Sequence, residues 1–442
     1  MQVSETSPAS ATEAMVAREQ ALSRAVLAFI VTGLLFMLLP GTFLGVWNLI
    51  SISSRHEVDS MSQAWIQAHG HAQVFGWIGT FVIGIGFYSL SKMGRLPHFA
   101  VRRAWISWAL WTCGAAMRWA AGISAREWRI ALPLSALLEL FGFLLFFRTV
   151  SRHKTDPSRA PRLKQPWMLA VVASTFGFLL TLLLNAAGAF YAAFTQATPA
   201  IPHALDQRLL AVPVWAFLVP TVWGFNARWL PIFLGLRAPR GRLLRAAIMA
   251  AFVGVAFSLA GFALVGAVVF VVAALLAIAA LRIFEAAVQP AKINGVHPSF
   301  PLFVRLTYVW LLIAGALTIW AAAADRAGGI WGASRHAVTV GFLAAMVFAI
   351  GQKILPAFCG ARILFNRHAM LASLLLLNVG CALRVASEIP AYEGFAFATV
   401  FWRALPVSAV IELSAVSVFA ANLLVTFLRP APHVLAKQHA FA

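Results

Sequence analysis

Apolar residues run in long blocks along this chain, and polar residues gather in short intervals between them. Twelve blocks are long enough to cross a bilayer as helix, which takes about 20 residues. They are predicted near 23–47, 69–91, 100–122, 130–149, 167–193, 207–234, 243–263, 265–284, 302–324, 334–357, 369–388 and 402–427. None shows the ten-residue alternation of a membrane barrel. The expected fold is therefore all-α, a polytopic membrane protein of about 12 transmembrane helices. Spans 7 and 8 nearly touch between Gly261 and Gly266, which predicts a tight turn. Residues 1–22 are polar and rich in Ala, Ser and Glu, and read as a disordered tail. Residues 23–428 then form one membrane domain, and 429–442 a second tail.

Composition agrees. Of the 442 residues, 61% are hydrophobic and 11% charged, against about 25% charged in a soluble domain. The net charge of +20 could suggest nucleic acid, but its distribution excludes that reading. Lys92, Arg95, Arg102 and Arg103 follow span 2. Arg148, Arg152, Lys154, Arg159, Arg162 and Lys164 follow span 4, and Arg237, Arg240, Arg242 and Arg245 follow span 6. The connection at 195–206 has no Lys or Arg. Basic even-numbered connections predict that both termini are cytoplasmic and that spans 2, 6 and 10 start on the outer side. Lipid is the expected surroundings. Cys113, Cys359 and Cys381 form no CxxC or CxxCH pattern, so neither a thiolate metal site nor covalent haem attachment is indicated.

Two histidines open matching stretches. His71, Ala72, Gly76, Gly79, Gly84, Gly86 and Leu90 align with His336, Ala337, Gly341, Ala344, Ala349, Gly351 and Leu355, always 265 residues apart. A second match joins Arg228-Trp-Leu-Pro-Ile-Phe-Leu-Gly235 to Lys353-Ile-Leu-Pro-Ala-Phe-Cys-Gly360, 125 residues apart. Spans 2, 6 and 10 thus repeat every four helices, which predicts three arcs of four. Pro231 and Pro356 read as helix terminators.

Ionisable residues inside a membrane are costly and mark function by default. Imidazole is a good ligand for haem iron. His71 and His336, at equal depth near the outer surface, therefore read as the axial pair of one haem, of b-type and not covalently attached. The small residues beside them would let a flat macrocycle approach the backbone, although they equally suit helix packing. Haem carboxylates would need cations, and Arg335 is the best placed, with Arg55, Arg118, Arg126 and Arg384 nearby. His69 lies roughly 200° around the helix from His71, so the two cannot share one pocket. His69 with His203 or His56 is a candidate copper site. His98, His153, His297, His368 and His433 read as loop or cytoplasmic histidines. Glu139 in span 4 and Glu412 in span 12 are the isolated membrane acids. Either relays protons or pairs with a buried arginine such as Arg403.

No GxGxxG, Walker A or HExxH pattern occurs, so nucleotide-driven work and zinc proteolysis are not supported. Twelve spans in three arcs, with histidines on spans 2 and 10, resemble subunit I of the haem-copper oxidases. A closer resemblance is to the NnrS family of haem- and copper-containing membrane proteins. It rests on His69-Gly-His-Ala-Gln-Val-Phe-Gly-Trp77, Gly224-Phe-Asn-Ala-Arg-Trp-Leu-Pro-Ile-Phe-Leu-Gly235, Arg335-His-Ala-Val-Thr-Val-Gly341 and Gln352-Lys-Ile-Leu-Pro356. That resemblance implies a bacterial inner-membrane protein of the nitric oxide response, with haem, possible copper and a gas ligand such as nitric oxide or oxygen. Any catalysis would be haem-dependent oxidoreduction of those gases. The alternatives are an oxidase-like or nitric oxide reductase-like subunit and a cofactor-free transporter.

Overall fold

The computed structural model describes residues 8–57, 61–94, 101–151, 165–360 and 363–429. Among these the chain is helical throughout, without strands. Twelve long rods follow in order: α1 (8–55), α2 (63–94), α3 (Arg102–Ser124), α4 (Trp128–Ser151), α5 (Pro166–Thr195), α6 (His203–Leu234), α7 (Gly241–Leu259), α8 (Ala263–Leu281), α9 (Phe300–Ala324), α10 (Gly329–Phe358), α11 (Arg367–Tyr392) and α12 (Ala398–Leu428). Each coincides with one predicted span. Eleven are long and apolar enough to cross a membrane. The other, α3, has 23 residues and carries the buried Arg118. The tight turn between α7 and α8 is present, at Ala260–Phe262.

Two expectations change. Helix α1 starts at Pro8, so residues 8–22, read as a tail, are helical. Ala9, Ala11, Glu13, Ala14, Ala17, Arg18, Glu19, Gln20 and Ala21 are strong helix formers, Pro8 suits a first helical position, and Leu22 is already buried. Pro231 and Pro356 are also not terminators in themselves: α6 and α10 continue to Leu234 and Phe358. What ends α6 is Gly235, in the left-handed conformation at φ +68°. A Cβ there would overlap the Gln289 carbonyl.

The three arcs are visible in the packing. The most intimate helix pairs are α3–α4, α7–α8 and α11–α12, one in each arc. Helix α4 packs on α5, α8 on α9, and α12 returns to α1, which closes the ring. A π-helical segment sits at the same place in the second helix of each arc: Ala72–Gly79, Val212–Leu218 and Ala337–Ala344. Helices α2 and α10 meet, as a shared site requires. The Trp77 and Phe348 rings are 6.2 Å apart and the Tyr88 and Phe358 rings 4.9 Å.

Arg102, Arg103, Arg148, Arg237, Arg240, Arg242 and Arg245 all lie toward one end of the bundle, opposite the end where His69, His71 and His336 stand. Arg95, Arg152, Lys154, Arg159, Arg162, Lys164, His98, His153 and His433, and the side chains of Leu90 and Lys92, lie outside the described residues.

The closest approach of two helices depends on Gly177. A Cβ at this position of α5 would overlap the Ala216 carbonyl in the π segment of α6, where Phe178 and Phe217 stack at 3.9 Å. Backbone cannot yield as a side chain does, and overpacking costs about 1–3 kcal/mol or more. Gly177→Ala should lower the thermal unfolding midpoint in detergent by several degrees. Gly70→Ala, where a Cβ would meet open space, should leave it unchanged.

Candidate functional site

Each matched histidine is joined to one of the two isolated acids. His71 Nε2 lies 2.6 Å from Glu139 Oε1, and His336 Nε2 lies 2.7 Å from Glu412 Oε1. The pairing runs from the second to the fourth helix of the first arc, and again in the third. Asn185 Nδ2 donates to the other oxygen of Glu139 at 3.0 Å, and the His71 ring stacks on Phe75 at 4.4 Å. His71 and Glu139 are both buried.

The third helix of each arc completes the set. Gly114 leaves room for Glu139, since a Cβ there would stand 2.8 Å from its Cγ. Gly380 does the same for Glu412, at 2.6 Å. One helical turn further on, Arg118 and Arg384 occupy equivalent places, and each has an Nη1 that is buried and unpartnered. Glu139 is among the charges that act on Arg118. Arg384 bonds Glu388 at 2.9 Å. A His–Arg–Glu set is therefore built twice.

The middle arc shows what the set is not for. There the equivalent positions hold Ala211, Ser258 and Phe270. Gly254 faces Phe270 as Gly114 faces Glu139, and Trp215 stacks on Phe270 at 4.4 Å. The same helices pack in the same way with mainly apolar residues, so the fold does not need the ionisable set. Burying such a set twice is costly, which makes it the candidate site.

His69 is turned away from His71. Its Nδ1 lies 2.8 Å from the Gly41 carbonyl of α1. A carbonyl only accepts, so Nδ1 carries the proton and Nε2 keeps a lone pair. The charges that act on the half-buried His69 ring are those of His336, Arg384 and Glu412. His336 is thus among the charges that act on His69, while His71 is bonded to Glu139. Arg335 donates through Nε to the Trp331 carbonyl at 3.2 Å, and Glu388, Asp206 and Asp325 act on it. Asp206 also faces His203 and Arg118.

Other candidates separate. His203 is exposed and bonds Gln207 at 3.0 Å. His56 stacks on Trp402 at 5.3 Å. No group of three or more His, Cys, Asp or Glu among the described residues could hold a metal ion. Arg403 is exposed and does not partner Glu412. At five of the glycines a neighbouring ring takes the space beside the backbone. Phe36 fills the space at Gly76, Trp111 that at Gly79, Phe29 that at Gly84, Phe146 that at Gly86 and Trp310 that at Gly341. They serve helix packing.

Sequence reasoning named both acids but assigned them the wrong partners, and it missed Asn185 and Asp206. The signal for the duplicated set was present. Ala131-Leu-Pro-Leu-Ser-Ala-Leu-Leu-Glu-Leu140 matches Ala404-Leu-Pro-Val-Ser-Ala-Val-Ile-Glu-Leu413. Gly114-Ala-Ala-Met-Arg118 matches Gly380-Cys-Ala-Leu-Arg384.

A family model described as a domain of unknown function, DUF8744, matches residues 166–427, more than half of the chain. The chain belongs to the DUF8744 family. The matched region holds the third-arc set of His336, Arg384 and Glu412, whereas His69, His71, Arg118 and Glu139 precede it. The curated proteins give no match to this DUF8744 chain. Among solved structures it is similar to a heme-copper terminal oxidase, with a TM-score of 0.74 at 13% identity, over 93% of this chain and 85% of that one. At that identity the likeness is one of fold.

Removing one partner of a buried ion pair costs about 3–5 kcal/mol, whereas replacing both with apolar residues is often neutral. The middle arc shows that the apolar version packs. Glu139→Leu alone should therefore destabilise the protein more than His71→Leu and Glu139→Leu together, as read by thermal unfolding in detergent. A double variant less stable than the single one would mean that the pair holds the fold.

Proposed function

We propose that this protein binds one b-type haem between α2 and α10, at the histidine-bearing end of the bundle. His69 and His336 would hold the iron, and Arg335 and Arg384 would face the haem carboxylates. The observation that supports this reading is that His336 and the half-buried Arg384 act electrostatically on the His69 ring of α2. His69 has its ring fixed by Gly41 and a free Nε2 lone pair, and Arg384 has an unpartnered buried N–H. A metal-ligating histidine ordinarily donates its other nitrogen to a carbonyl or carboxylate, and His69 already does so. The fold shared with a heme-copper terminal oxidase supports a bundle able to house haem.

Haem supplies one-electron and diatomic-gas chemistry when bound. The chain's own residues do the rest. Gly41 fixes the His69 ring, Glu412 positions His336, and Arg335 and Arg384 offer planar N–H groups suited to carboxylates. His71, held by Glu139, which in turn accepts from Asn185, would act as a buried polar support. Oxygen reduction with copper is disfavoured, because α7 has no histidine and the positions two residues from His336 are Ser334 and Val338. The cellular role that goes with the reading is a response to nitric oxide in the cytoplasmic membrane of a bacterium. The basic connections support cytoplasmic termini.

The purified protein from haem-replete cells should show a Soret band and, when reduced, sharp low-spin α and β bands. His69→Ala and His336→Ala should each abolish the low-spin spectrum, while His71→Ala should retain it. A colourless preparation would overturn haem binding. Loss of the spectrum in His71→Ala with retention in His69→Ala would transfer the ligand role to His71.

A further inference from the structure

A groove on the flank of the bundle lies apart from the histidines and belongs to none of the chemistry above. It occupies about 720 Å³ between the middle of α1 and the outer half of α3, where Trp65 at the start of α2 closes one end. Along α1 it runs from Thr32 to Trp47, roughly 22 Å at 1.5 Å per residue. That exceeds the apolar thickness of one leaflet, about 15 Å. Its α1 wall is strongly exposed at Leu39, Phe43 and Trp47, so it opens sideways toward lipid.

Three features define an occupant. The lining is almost wholly apolar, as an acyl chain requires. Trp47, Trp65 and Trp119 gather at the histidine-bearing end, and indoles prefer the depth of lipid head groups. Two lining side chains also have a buried polar atom without a partner, Trp119 Nε1 and Thr112 Oγ1. They are seven residues apart on α3 and so lie along one face. In a bilayer an unmade hydrogen bond has no water to turn to. An ester carbonyl is an acceptor that lies at the depth of the Trp119 indole.

We propose that this groove is a specific site for one membrane phospholipid. One acyl chain lies along α1 and α3, and a turn of the Trp119 indole brings its N–H to an ester carbonyl. The site touches the haem reading only through its wall. The π segment Met37–Phe43 lines the groove and, at Gly41, supplies the carbonyl that holds His69. Lipid binding does not depend on haem.

The experiment is native mass spectrometry of the full chain, released from detergent under stepwise delipidation. One phospholipid should remain on the wild-type protein after the bulk lipid is gone. Leu39→Trp, which fills the groove, should abolish its retention. Trp119→Phe, which keeps the ring and removes the N–H, should weaken retention about threefold to tenfold, the worth of one hydrogen bond. Leu264→Trp, on the exposed face of α8, should change nothing and controls for added bulk. Absence of a retained phospholipid on the wild type would overturn the proposal. So would equal retention in Leu39→Trp and Trp119→Phe, or extraction of a prenylated ring compound in place of phospholipid.

Discussion

A carboxylate in the interior of a membrane bundle has no water to share its charge, and the hydrogen-bonded partner it finds constrains everything around it. Glu139 and Glu412 meet this constraint with histidines two helices away, at 2.6 and 2.7 Å. The contact sets the spacing between the second and fourth helices of an arc. It also demands a glycine on the third helix, because the acid occupies the space that a Cβ would need. Burial, helix order and the choice of Gly114 and Gly380 are thus parts of a single solution. The middle arc reaches the same packing with Phe270 and needs no charge there.

His71 is fixed in this way, whereas His69 is held against α1. Two histidines separated by one residue point apart on any helix, and the π segment that begins at Ala72 does not undo this. One imidazole is bound to a buried acid, and the other is held by a carbonyl of α1 with its second nitrogen uncommitted. The result is a division of labour within three residues. It leaves one nitrogen of His69 uncommitted, within the field of His336, Arg384 and Glu412.

Much of the fold was legible in the sequence because bilayer thickness imposes block lengths that composition reveals directly. The four-helix period was legible too, since Pro231 and Pro356 recur in register with the histidines. The site was only half legible. His71 and His336 stood out by their spacing, but spacing along one helix does not say which other helix supplies a partner. Glu139 therefore seemed to call for an arginine, where the fold supplied His71 and Asn185. The small residues misled for a related reason. Glycines that admit a flat ligand and glycines that admit a neighbouring phenylalanine look alike in one dimension, and only the positions of Phe36, Trp111 and Trp310 separate the two uses.

The π segments of α2, α6 and α10 carry a consequence for what shapes the helices. Each widens one turn of its helix at the same place, although only two of the three helices have a histidine there. The widened turn therefore does not require an imidazole or its acid. Ala211, Ser258 and Phe270 occupy the same frame as the ionisable residues of the other two arcs, so the backbone irregularity belongs to the scaffold and the charges are an addition to it.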